Sequence, residues 1–387
     1  MATPLPVVKR LDSLTSLRFF AAFGVFVHHF TGLGGSTGLG RGPLLFPYSQ
    51  IGAYGVEFFF VLSGFLLTWV WRPGERAGSY YWRRFGRIWP AMIATMPLAI
   101  LAYYTMAHVP INRFGLLMAL LCLQTWFPHI QPTLPGNEVA WTLSVEVLFY
   151  ALFPLLVRWA MRLPARALAA ASAAGLLAMY AVCWWSTVHL SGAMSAWVMR
   201  NPLVYLPVFL TGMTAAVWLR RGHRMRLHPA VPIALLLVLT YGYYQGVARL
   251  PESEGAQLTY LLRPAVTVLA VLIIVAFVQR EMRGRAGVMN NPLLVRLGVW
   301  SYAFYLLHHS VTRIIEYHWG RLPDSDVTIF TLIGIGVVIN LMAWAVYELI
   351  EAPFERWWRT RMPRRWRSVP AAAAARPERA VVQAPIG

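Results

Sequence analysis

Apolar blocks about as long as a bilayer is thick, separated by short stretches rich in arginine, recur along this chain. A hydrocarbon core of about 30 Å takes about 20 helical residues. At that depth no water serves the backbone, so each block must be a helix that satisfies its own amides and carbonyls. Of 387 residues, 58% are hydrophobic and 13% charged, and mean hydropathy is +0.53. A soluble domain carries about 25% charged residues. A soluble globular enzyme, a coiled coil and a disordered chain are thereby excluded. The expected fold is an all-α polytopic integral membrane protein of the cell membrane.

Spans are expected at 14–32, 54–71, 88–107, 141–161, 167–187, 202–219, 229–247, 264–279, 298–317 and 328–349. The net charge of +19 resides almost wholly in arginine and lies between the blocks, so it speaks for orientation in the bilayer and against nucleic acid. With both termini cytoplasmic, inner loops hold Arg72 to Arg87, Arg158 to Arg166, Arg220 to Arg226 and Arg280 to Arg296, and the tail holds Arg356 to Arg367. Outer loops hold scattered single arginines, as the positive-inside rule requires. The segment 114–127 is apolar but short, of a length typical of a re-entrant or interfacial piece, and counting it as a span would put the later arginine clusters outside. Three regions result: a cytoplasmic segment 1–13, a membrane domain 14–359, and a tail 360–387, basic and then rich in Ala and Pro, expected to be disordered. The first apolar run has no small-residue cleavage site after it and is expected to remain as a span.

Charged and polar groups inside such helices are costly and mark function by default. The first block carries Arg18 at one end and His28 and His29 at the other. A bland alternative is that Arg18 snorkels to headgroups while the histidines sit in a wet vestibule. Eleven residues make nearly three turns, so Arg18 and His29 share a helix face about 16 Å apart, while His28 lies about 80° away. On that geometry His29 is the better candidate for a general base. Ser63 and Gly64 are a small pair suited to close helix packing. Arg84 and Arg87, three apart, suit a phosphorylated cytoplasmic cosubstrate, or else simple positive-inside charge. Glu146 stands among apolar neighbours and serves either a site or a structural pair. Glu351 is expected to pair with an arginine. The histidines show no metal-ligand spacing, and two cysteines form no framework. Hydroxyl acylation by general-base catalysis fits this inventory, and a transporter is the rival from another class, without the internal repeat such folds use.

In order, these motifs resemble the acyltransferase-3 family of bacterial integral membrane O-acyltransferases. They are Arg18 with His29, the F-F-x-x-S-G-F block at 59–65, Arg84 with Arg87, the W-x-L-x-x-E block ending at Glu146, the S-Y-x-x-Y-L-x-H block ending at His308, and the E-x-P-F end beginning at Glu351. The resemblance implies about ten transmembrane helices, acyl-CoA as cosubstrate with no further cofactor, and a hydroxylated acceptor, commonly a sugar. It implies that Arg18 and His29 are required, that Arg84 and Arg87 serve the donor, and that Glu146 matters. Glu57 stands where many members have aspartate. A narrower resemblance, to actinobacterial members that acylate secondary metabolites, suggests antibiotic biosynthesis with a macrolide or related glycosylated acceptor. A cell-envelope polysaccharide or lipid-linked glycan is the alternative.

Overall fold

The computed structural model describes residues 11–366 apart from 33–37, 41, 107–109, 134–135, 248, 251 and 286; the tail 367–387 and the segment 1–10 lie outside the described residues. Within them the chain is helical, with no β-strand. Fourteen α-helices follow in order: α1 (Asp12–Thr31), α2 (Phe46–Ser49), α3 (Gly55–Val70), α4 (Ala77–Ile100), α5 (Arg113–Leu120), α6 (Trp141–Arg162), α7 (Ala165–His189), α8 (Gly192–Val198), α9 (Leu206–Arg220), α10 (Ala230–Val247), α11 (Glu252–Met282), α12 (Pro292–Trp319), α13 (Thr328–Val346) and α14 (Ala352–Thr360). Among the described residues, eight stretches are long and apolar enough to cross a membrane. The long helices α1 and α12 fall outside that set, and they are the two that carry the histidine motifs. The third long helix begins at Ala77 and not near residue 88, so Arg84 and Arg87 lie inside it.

Two close pairings organise the bundle. Gly298 of α12 sits where any Cβ would collide with the Thr15 carbonyl of α1, and Gly64 of α3 and Gly212 of α9 face the backbones of each other's helices at Phe209 and Val61. Without side chains at these points the helices approach to backbone contact, as packing inside a bilayer favours. Both pairs run parallel. Phe26 meets Phe304 and His29 meets His308 further along α1 and α12, while Phe60 meets Tyr205 and the Arg220 guanidinium reaches the Thr68 carbonyl along α3 and α9. The N-terminus of α1 is anchored by α11: the buried Glu281 carboxylate accepts from the Asp12 and Ser13 amides at 2.9 and 3.1 Å. Four amides at a helix start lack partners within the helix, and this side chain supplies two.

The short apolar segment folds back. Its only α-helix, α5, has eight residues and so about 12 Å of length, too little to cross. Trp89 Nε1 donates to the Leu120 carbonyl at 2.9 Å, beside α4, and the chain then turns at Cys122, whose φ of 55° is the one positive value among non-glycine described residues. The helices on either side run antiparallel, with Tyr80 against Phe153 and Arg84 over Tyr150. A crossing between α4 and α6 would have made them parallel.

Two outcomes follow for the fold. Gly64→Val should lower the melting temperature of the detergent-solubilised protein by several degrees through forced separation of α3 and α9, whereas Gly192→Val, in open space, should not; equal shifts would remove the packing role. Reporter fusions after Met161 and Arg221 should both read cytoplasmic, and an external signal from either would reverse the orientation assigned from the arginines.

Candidate active site

Arg18, Arg84, Arg87 and Glu146 meet at one cavity enclosed by α1, α3, α4, α6 and α12, with about 890 Å³ of unfilled space, its open mouth included. Ser63, Tyr150, Tyr302 and Tyr305 also line it. Three guanidinium groups and one carboxylate thus face a single space. Cations held this close in low dielectric repel, and an anionic ligand relieves that repulsion. Ser63, suited on sequence to packing, instead points its hydroxyl to Glu146 Oε1 at 3.4 Å, and the Tyr150 hydroxyl stands 3.5 Å from Oε2. Gly64 alone of that pair does the packing.

The two arginines of α4 differ. Arg87 is tied to Glu351, which is fully buried in the π-helical turn Tyr347–Glu351 after α13, and Glu355 stands 3.9 Å away. Glu351 therefore has the arginine partner expected of it. Arg84 makes no ion pair among the described residues. Its guanidinium lies 5.7 Å from the ring of Tyr80 and 5.5 Å from that of Tyr150, and its Nε is buried without a hydrogen-bond partner. Arg18 likewise has no carboxylate within ion-pair distance among the described residues. The cations left for a ligand are Arg18 and Arg84.

His29 lies outside this cavity. Its wall at the far end is made by Tyr305 and Thr142, whose hydroxyls are 3.2 Å apart, and the Tyr305 hydroxyl is also 3.1 Å from the Val139 carbonyl. Beyond it four imidazoles gather. His29 Nδ1 is 3.1 Å from the Val25 carbonyl and 3.0 Å from His308 Nε2, and its ring centroid is 4.7 Å from that of His309. His308 Nδ1 is 2.6 Å from the Tyr305 carbonyl. His28 packs edge-on to His29 at 5.3 Å, with its Nδ1 buried and unpartnered.

The carboxylate beside these histidines is Glu138 and not Glu146. Glu138 accepts from His309 Nδ1 at 2.8 Å and takes both arms of Arg313, at 2.7 and 3.0 Å. Sequence inspection missed this group, since Glu138 opens the short 3-10 turn Glu138–Ala140 ahead of α6 and belongs to no motif. The one available signal was the spacing of His309 and Arg313, four apart and so on one face of α12. Glu57, another uncertain carboxylate, joins Arg263 at 3.4 Å, and Arg263 also bonds the Tyr205 hydroxyl; it binds α3 to α11 away from the cavity.

The family described as an acyltransferase domain, acyltransferase-3, matches residues 11–347. Acyltransferase MdmB of Streptomyces mycarofaciens is 32% identical over 326 residues, covering 80% of either chain. Nodulation protein 10 of Rhizobium leguminosarum bv. viciae is 33% identical over 28% of this chain and 35% of its own. O-acetyltransferase OatA of Staphylococcus aureus is 21% identical over 90% of this chain, which spans 58% of OatA. No solved structure matches. The chain belongs to the acyltransferase-3 family and is an integral membrane O-acyltransferase.

Because Glu351 is buried, Arg87→Ala should leave an uncompensated charge and destabilise the protein by about 3–5 kcal/mol. Thermal unfolding of Arg87→Met combined with Glu351→Leu should recover most of that loss. Equal stability of the single and double variants would show that the pair is not coupled.

Proposed function

We propose that this enzyme takes its acyl group from acyl-CoA on the cytoplasmic side and transfers it to a hydroxyl of a macrolide antibiotic or another glycosylated secondary metabolite. The observation that carries the donor assignment is the pair Arg18 and Arg84, unpaired cations at one open cavity. Guanidinium forks bind phosphate oxygens in two-point fashion, and CoA is the acyl carrier that brings phosphates with its thioester. Arg87 contributes charge to the same wall while held by Glu351. Glu146 balances the arginines and offers an acceptor to a ligand hydroxyl; its partners are Ser63 and Tyr150 while those of His29 are Val25 and His308, which argues against its orienting His29. The macrolide acceptor rests on the resemblance to actinobacterial members acting on secondary metabolites, which the match to a Streptomyces acyltransferase supports.

His29 is the base in this scheme. Its Nε2 removes the proton of the acceptor hydroxyl as that oxygen attacks the thioester carbon; the C–O bond forms, the C–S bond breaks, and the thiolate leaves to take up a proton. For this the thioester must pass Tyr305, so the Tyr305–Thr142 contact opens when donor is bound.

The test is release of CoA thiol by protein in nanodiscs, given acetyl-CoA and a macrolide with a free sugar hydroxyl, together with the acyl mass increment on the macrolide. Arg84→Lys keeps the charge but loses the fork, and should raise KM for acetyl-CoA about tenfold. His29→Ala should cost at least about 100-fold in kcat, and His28→Ala far less. An unchanged KM in Arg84→Lys would point to headgroup binding, and a dead His28 variant beside an active His29 variant would overturn the base assignment.

A further inference from the structure

The hydrogen-bond partners of His29 fix where its protons lie. A carbonyl oxygen only accepts, so the 2.6 Å contact to the Tyr305 carbonyl requires the proton of neutral His308 to be on Nδ1. Its Nε2 is then a bare acceptor. That nitrogen stands 3.0 Å from His29 Nδ1, which must therefore be the donor, and the Val25 carbonyl at 3.1 Å demands the same of it. With Nδ1 protonated, the free lone pair of neutral His29 is on Nε2. Two independent partners agree on this tautomer.

We propose that His308 is a positioning residue for acyl transfer, occupying behind His29 the place that a carboxylate occupies behind the histidine of a serine hydrolase. This rests on the assignment of His29 as the base. When the acceptor's proton reaches Nε2, His29 becomes an imidazolium and its Nδ1–H bond to His308 becomes charge-assisted, so the contact strengthens as the transition state forms. The Val25 carbonyl, already engaged within α1, shares this proton but cannot turn the ring. His308 can, because it is itself immobile. It is fully buried, lies stacked with Phe304 at 6.3 Å and meets Phe26 edge-on at 6.4 Å. The register of α12 that presents it is held one residue on, where His309 and Arg313 both bind Glu138. That carboxylate, reached through the His309 ring, is also the negative group placed to balance charge developing on the His29–His308 pair.

Two measurements test the assignment. In wild-type protein labelled with 15N-histidine in nanodiscs, a coupling through the hydrogen bond should connect His29 Nδ1 with His308 Nε2, and His29 Nε2 should resonate as an unprotonated nitrogen. In the acetyl-CoA and macrolide assay, His308→Ala should lower kcat about 100-fold with KM for acetyl-CoA unchanged. His308→Gln, whose amide can accept from His29 and donate to Tyr305, should recover about tenfold of that loss. Absence of the coupling, a His308→Ala kcat within about threefold of wild type beside a dead His29→Ala, or equal loss in the Ala and Gln variants would each overturn the proposal. If His308→Ala does not insert, the coupling and the Gln variant decide. An active His29→Ala would instead sink the base assignment beneath it.

Discussion

Gly298 carries no side chain, and so α12 lies directly against the backbone of α1 at Thr15. Parallel helices in contact from their first turns stay in register along their length. The histidines in the last turns of α1 therefore meet those of α12, two motifs separated by 279 positions at His29 and His308. Arg18, near the start of α1, is brought by the same helix to the cavity that α4 and α6 complete. Neither end of the site would exist if the two helices were splayed by a larger residue at that glycine.

Around this axis the charged groups divide by purpose. A charge taken out of water is tolerable only with a partner and good hydrogen bonds. Arg87 with Glu351, Arg263 with Glu57 and Arg313 with Glu138 meet that demand within the protein, and each fastens distant segments together. Arg18 and Arg84 do not. Both line the cavity, and the imbalance there is what suits it to an anion. The π-helical turn that presents Glu351 is itself irregular, a feature that recurs where helices serve a site. The proposed site thus lies along α1, with an arginine end and a histidine end, and Tyr305 stands between them, its side chain lining the cavity and its carbonyl accepting from His308.

How much was legible beforehand follows from what each signal depends on. Arg18, Arg84, Arg87 and Glu146 stand out because a charge in an apolar block is conspicuous by itself. His309 and Glu138 are not conspicuous in that way. His309 looks like part of an outer helix end, and Glu138 like any loop carboxylate; their meaning comes only from each other. The difference between Arg84 and Arg87 was hidden for the same reason, since it is Glu351, 264 positions from Arg87.

The amino-acid sequence by itself determined the helical character, the approximate positions of the long helices and the family, because bilayer thickness, backbone satisfaction and ordered motifs are properties of local segments. It also suggested that 114–127 would not cross, from its length and from the arginine clusters that follow, and the short α5 and the turn at Cys122 supplied the means. Only the tertiary structure decided which charges are spent on each other, that Ser63 faces Glu146 while Gly64 packs, and that His29 has a histidine and not Glu146 behind it. Those outcomes depend on distances between helices remote in the chain, and in a low-dielectric interior a few ångströms separate a paired charge from a free one.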